Sequence, residues 1–371
     1  MIIITTGCSD TTSTHEDPIT DYRGDLLVTD MRGVWISYFE FYNILAGKTE
    51  NQYTLNVKDV VQKCKNGNIN TIFLHVRPFC DAFYPSNVFP WSYYSLSYIG
   101  EAPSFDPLKI FVQVAHENNI DVHAWINPYR ISYDTDKNKL NAGQIDFLSQ
   151  YENSIIECSQ GYWLDPSSSA TLKLVINGVS ELLEGYDIDG IHMDDYFYPV
   201  TDESFDADSY SLYQAEGGEA SLGDWRRENV NNLVKNIYNE VKKHGKEKIF
   251  SISPQADIDA DIDKYYADVD LWCSDKGYID LIIPQIYFGY TNQHQPFARA
   301  CRKWEKLVTA DAVSLVCGLA SYKQADKEQT KGATDAAEWE AGGVIEKQIA
   351  DIESNKSWQG YCLYSFSYSF S

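Results

Sequence analysis

The chain has 371 residues, 44% hydrophobic and 23% charged, which is sequence enough for a full-sized core and within the length of one barrel with insertions. A formal net charge of −24 repels phosphate backbones and anionic headgroups, so nucleic acid and bulk membrane surface are poor partners. The aromatic share of 14%, with 27 Tyr and 9 Trp, suits rings that stack on sugar faces as well as rings that fill a core.

The chain opens with an apolar run ahead of Gly7-Cys8, which resembles the end of a bacterial lipoprotein signal, although the basic leader is missing and Thr5 stands where Leu is usual. On that resemblance Cys8 would be acylated and hold the protein at the cell envelope, its only expected tie to a membrane. Residues 9–24 are rich in Ser, Thr, Asp and Pro and suit a flexible tether. The expected organisation is therefore a signal remnant and tether over 1–24, then one catalytic domain over 25–371, acting as a monomer. The eight cysteines (8, 64, 80, 158, 273, 301, 317 and 362) include no Cys-x-x-Cys and no zinc-type spacing with His, and neither a metal nor a cofactor is expected. A disulfide framework is not expected either, since Cys317 and Cys362 lie in apolar runs where a thiol behaves as a small hydrophobe.

Past the tether, apolar β-rich runs alternate with runs of helical period. Strands are expected at 31–39, 71–77, 120–127, 188–196, 248–253, 279–287, 313–320 and 359–366. Helices are expected near 56–66, 107–118, 170–184, 223–244, 260–272, 296–307 and 342–354. Near-continuous apolar strands separated by helices read as a parallel sheet buried on both faces. Eight such units favour an α/β fold of the closed (β/α)8 (TIM) barrel type over an open doubly wound sheet, and no glycine-rich nucleotide motif follows any strand. The segments after the second, third and fourth strands (78–106, 128–169 and 197–222) are long and aromatic, and elaboration on one end is where such barrels keep their chemistry.

The fourth strand carries the sharpest signal, Asp189-Gly190-Ile191-His192-Met193-Asp194-Asp195-Tyr196. Side chains alternate along a strand, so His192, Asp194 and Tyr196 share the face opposite Ile191 and Met193 and would point into the barrel. A carboxylate at the mouth needs a partner or a task, because unpaired burial is costly. Other strand ends offer polar groups of matching parity: Arg77 with Asp81, Tyr84 and Trp91 behind it; His123 and Asn127, followed by Tyr129 and Arg130; Gln285 and Tyr287. Arg226 and Asn229 lie one turn apart at the start of the helix after the fourth strand. These are the candidate substrate-binding residues, with Arg77, Arg130 and Arg226 as a positive patch on the rim.

Glycoside hydrolysis typically takes two carboxyl groups. Asp194 fills one role. For the second, Asp81 on a neighbouring loop comes first and Asp195 next, although Asp195 should point away; Asp257 and Glu40 are weaker options. The acids at 202–208 read as a solvated loop in preference to a calcium site.

Several segments together resemble the glycosyl-hydrolase-like 10 family of bacterial envelope proteins. They are Met31-Arg32-Gly33-Val34-Trp35, Arg77-Pro78 with Asp81 to Ser86, Pro90-Trp91-Ser92, His123 to Arg130, Asp189 to Pro199, Trp225 to Val230 and Pro284-Gln285-Ile286-Tyr287. The resemblance implies a (β/α)8 barrel, frequent lipoprotein anchoring and glycosidase activity. One branch is similar to enzymes that cut peptidoglycan glycan strands stripped of their peptides. Asp189 to Asp194 also resembles the fourth-strand signature of the alpha-amylase superfamily, whose final Asp, here Asp194, is the nucleophile. That superfamily carries its acid as a Glu after the fifth strand, where this chain reads Ser253-Pro254-Gln255. The rival readings are hydrolysis of a dietary or capsular polysaccharide and a carbohydrate-binding barrel without catalysis.

Overall fold

The structure, a computed structural model, describes residues 28–96, 100–136, 140 and 142–370; the segment 1–24, with Cys8, lies outside the described residues. Its strands in chain order are β1 (Met31–Ile36), β2 (Thr71–Arg77), β3 (Asp121–Ile126), β4 (Ile155–Cys158), β5 (Gly161–Leu164), β6 (Gly190–Met193), β7 (Ile249–Ile252), β8 (Leu281–Ile282), β9 (Ser314–Leu315), β10 (Cys317–Leu319) and β11 (Gly360–Leu363). All but β4 and β5 form one sheet in the order β10-β11-β1-β2-β3-β6-β7-β8-β9, parallel at every pairing. Only Val316 separates β9 from β10. Its N–H donates to the Ile282 carbonyl at 3.0 Å, and the Gly318 N–H donates to Pro284 at 3.0 Å. The segment from 314 to 319 is thus one barrel strand that joins both ends of the sheet, and eight strands close into a ring.

The apolar strands fill two cores. Met31, Trp35, Phe73, Trp125, Leu281, Ile283, Val316 and Cys362 pack inside the barrel, while the larger outer core lies between strands and helices. Gly33 belongs to this inner arrangement by necessity, since a Cβ there would sit 2.9 Å from the Cys362 sulfur and 3.1 Å from the Phe73 ring.

Five of the seven expected helices appear within a few residues of their expected bounds; that near 56–66 starts earlier, as Glu50–Asn66, capped by Thr49. The longest runs from Leu222 to His244, started by Ser221, whose hydroxyl accepts the Asp224 N–H at 3.2 Å. The helix expected over 260–272 is two, Ile258–Lys264 and Val269–Ser274, because Tyr266 between them adopts φ +53°, outside helical space. The long segment after β3 holds a helix, Ala142–Gln150, and the β4–β5 antiparallel hairpin; the one after β6 holds the helix Ala207–Ala215. Because the sheet is parallel throughout, the loops leaving β2, β3 and β6 stand on one rim.

Candidate functional site

β6 stops at Met193, and the two residues beyond it stand at the barrel mouth. Asp194 is buried and takes three N–H donors: Asn127 Nδ2 at 2.5 Å and the Tyr196 backbone at 3.2 Å on one oxygen, Trp125 Nε1 at 3.1 Å on the other. The orientation of Asn127 is fixed by chemistry. Its Oδ1 faces Arg130 Nη2 at 3.0 Å and His75 Nε2 at 3.0 Å, and a guanidinium only donates, so the Asn127 amide nitrogen must face Asp194. Trp125 is held in turn by His75, stacked on it at 3.7 Å between ring centroids and 9° between planes.

Asp195 was expected to point away. Alternation ends with the strand, and the half-buried Asp195 turns into the mouth instead, where its carboxylate accepts the side-chain amides of Gln255 and, at 3.3 Å, Gln285. Gln285 also donates to the Ser253 carbonyl at 2.9 Å, which braces it between β7 and β8. Gln255 stands at the end of the fifth barrel strand, where the amylase-like pattern carries Glu, so an amide there serves Asp195 directly. Both carboxylates line a cavity of about 320 Å³ together with Trp35, Trp125, Tyr287 and Tyr364. Burial, and then the adjacent Asp195 charge, push the Asp194 carboxyl up to about 7, and burial also raises Asp195.

Arg130 stands behind this cavity, against the Tyr196 ring that lines it. Its guanidinium lies 4.1 Å from the Tyr196 ring centroid and 4.5 Å from that of Phe79, with Tyr196 itself 43% exposed above the mouth. Asp81 lines the adjoining cavity on the Phe79 side and not the one that holds Asp194. There its Oδ1 accepts the Phe79 N–H at 3.1 Å, and burial lifts its carboxyl to about 6.

Several expected substrate contacts are structural instead. The ladder between β2 and β3 shifts register between His75 and Arg77, which undoes the parity that aimed Arg77 inward. Arg77 is fully buried against the Phe89 ring at 4.0 Å, and a Cβ on Gly178 would come within 2.5 Å of its guanidinium. Arg226 is fully buried too, bonded to Asp206, the Tyr266 hydroxyl and the Asp202 carbonyl at 2.5, 2.9 and 2.8 Å. Asp206 is therefore a buried ion-pair partner and not part of a solvated loop, and of the three arginines expected as a positive patch, Arg130 stands next to the mouth, against Tyr196 and Asn127.

His192 and His123 belong to the barrel interior. Trp35 Nε1, a donor only, points at His192 Nε2 at 3.0 Å, so His192 is neutral with its proton on Nδ1 toward Ser251 Oγ at 2.8 Å. His123 packs edge-on to Phe73 at 4.9 Å. Tyr84 is buried against Tyr186, and the half-buried Trp91 bridges to Ala82, so neither ring lines the Asp194 cavity. Tyr129 and Asn229 face a separate cavity of about 110 Å³ beside Ser167 and Asn232. Glu40 is consumed by structure, accepting from Ser37, Ser365 and the Ser367 N–H, and Asp257 is exposed ahead of the helix Ile258–Lys264.

Sequence parity missed the Gln255 amide, the Trp125 indole as a donor to Asp194, and Tyr364. The alternation of Ser251, Ser253 and Gln255 along β7 and its continuation was the available signal for the first.

A parallel barrel with paired carboxylates, amides and aromatic rings at the carboxyl ends of its strands has the architecture of a glycoside hydrolase. The glycosyl hydrolase-like 10 family model matches residues 30–334, and the chain belongs to that family. Among its relatives is glycosyl hydrolase YngK of Bacillus subtilis, 32% identical over 324 residues, covering 79% of this chain and 61% of that protein, so the match spans less than two thirds of YngK. Glycosyl hydrolase DigH of Escherichia coli is 27% identical over 357 residues, covering 90% of this chain and 79% of that one. The PgaB (BpsB) glycoside hydrolase domain from Bordetella bronchiseptica superposes with a TM-score of 0.58 at 12% identity, covering 91% and 95% of the two chains; at that identity it speaks for the fold.

Proposed function

We propose that the protein hydrolyses O-glycosidic bonds within a polysaccharide, with peptide-free peptidoglycan glycan strands as the first substrate to test, and that Asp194 and Asp195 are its catalytic pair. The observation that carries this reading is two adjacent carboxylates raised together in one cavity at the strand mouth. Side by side, the two oppose each other's ionisation, which favours a form that carries one proton between them. Three N–H donors converge on Asp194, which favours its anion against the burial and the Asp195 charge that raise it, and suits it to face the developing positive charge at the anomeric carbon. The proton then resides on Asp195, where the Gln255 amide can turn its oxygen toward it while Gln285 stays held by the Ser253 carbonyl, and Asp195 protonates the leaving oxygen. Tyr287, Tyr364 and Trp35 supply apolar faces to the sugar ring.

The peptidoglycan reading rests on the family resemblance. The burial of Arg77 and Arg226 favours a second one, a neutral polysaccharide, because two of the three arginines expected to meet a muramic carboxylate are held inside the fold. Digestion of stripped peptidoglycan strands beside a neutral N-acetylglucosamine polymer, with products read by mass spectrometry, separates the two. Release of fragments from neither would overturn the hydrolase reading.

The pair also sets a pH dependence. Burial raises Asp195, the proposed acid, so it keeps its proton to higher pH than a free carboxyl does and is spent once it ionises. kcat/KM should therefore fall on the alkaline side of its profile, at a pH above the ordinary carboxylate range. A plateau extending to pH 9 would show that neither carboxyl supplies the proton.

A further inference from the structure

A second cavity, of about 270 Å³, adjoins the catalytic one across the wall made by Phe79, Arg130 and Tyr196. It is comparable in size to the one that holds Asp194 and is lined by Phe79, Tyr93, Tyr94, Tyr133 and the buried Asp81, among others. Two of these rings are not core. Tyr93 is 61% exposed and Tyr133 59%, and with Phe39 and Tyr196 they make up half of the eight large exposed apolar side chains among the described residues. Scattered singly, such residues need no explanation, but here they form one platform. Tyr94 lies within 5.7 Å of both Phe39 and Tyr93, its hydroxyl meets that of Tyr133 at 3.1 Å, and Tyr133 packs 5.4 Å from Phe79. Two carboxylates, Asp81 and Asp134, line the cavity, and no lysine or arginine does among the described residues.

Rings with polar edges beside a buried carboxylate match the two faces of a pyranose, C–H patches for stacking and hydroxyls for hydrogen bonding. The buried Asp81 carboxylate in that lining opposes a carboxylate-bearing sugar. We propose that this cavity is a second sugar subsite, which takes an uncharged pyranose of the same glycan chain on the Tyr94–Tyr133 platform with Asp81 accepting from its hydroxyls. The proposal rests on the glycosidase reading and extends it. In a strand where neutral and carboxylate-bearing sugars alternate, a neutral unit held here fixes which linkage reaches Asp194.

The test is calorimetric binding of the N-acetylglucosamine tetramer to the Asp194→Asn protein, which holds the ligand without turning it over. Tyr133→Ala should weaken tetramer binding about tenfold, the worth of one stacked ring, and Tyr133→Phe, which keeps the ring, should restore most of it. A tetragalacturonate control should bind more weakly than the neutral tetramer, and Asp81→Asn should narrow that gap. Tetramer affinity unchanged by Tyr133→Ala, or no tetramer binding before any change at Tyr133, would overturn the subsite. Cleavage of stripped strands by the unsubstituted enzyme would still stand in either case, so failure of the subsite is distinguishable from failure of the hydrolase reading.

Discussion

Asp194→Asn should lower kcat by about 10^3-fold or more, roughly 4 kcal/mol of transition-state stabilisation, with the barrel still folded. The substitution keeps shape but removes the charge that three N–H groups converge on. It also sets an amide N–H against donors that cannot turn away, because Asn127 is fixed by Arg130 and His75 and the Trp125 indole has no acceptor. Thermal melting by circular dichroism controls for folding, and removal of a buried charge offsets part of that local mismatch. Asp81→Asn should behave differently. Its carboxylate faces the adjoining cavity, so KM should rise with kcat changed little. If Asp81→Asn instead cripples natural glycan cleavage while sparing an activated aryl glycoside, Asp81 is the acid and Asp195 is not.

The largest stability effect should come from Arg226. Breaking a buried ion pair from one side leaves the other charge stranded, at a cost of about 3–5 kcal/mol. Arg226→Gln would strand Asp206, buried with it, and remove the bonds to the Tyr266 hydroxyl and the Asp202 carbonyl. Chemical denaturation should show this loss, and binding of acidic and neutral glycans should fall, if at all, by the same factor. A selective loss of acidic-glycan binding with stability intact would return Arg226 to the rim.

The barrel was legible because its signal is repeated. Eight apolar runs at parallel-strand length, separated by helix-period segments, leave few architectures open. Asp194 was legible for a local reason, since the alternation of β6 carries over to the residue just past its end at Met193. It failed at the next residue, where Asp195 turns inward to two amides that follow β7 and β8, far away in sequence. Arg77 failed for a related reason, a register shift that no single-strand pattern reveals. Arg226 was misread because its partner, Asp206, lies in a segment whose composition reads as solvated acid; the ion pair is a tertiary fact. The helices Ala142–Gln150 and Ala207–Ala215 have weak amphipathic periodicity, so the loops that hold them read as irregular.

The most direct test of the central claim is digestion of peptide-free peptidoglycan strands, in parallel with the neutral N-acetylglucosamine polymer, by the unsubstituted protein and by Asp194→Asn and Asp195→Asn, with products read by mass spectrometry. The unsubstituted protein should release short saccharides from at least one polymer, heavier by one water per bond cut, while each variant releases about a thousandth as much or less. Polymers left whole by the unsubstituted protein, or cut equally well by either variant, would contradict the account.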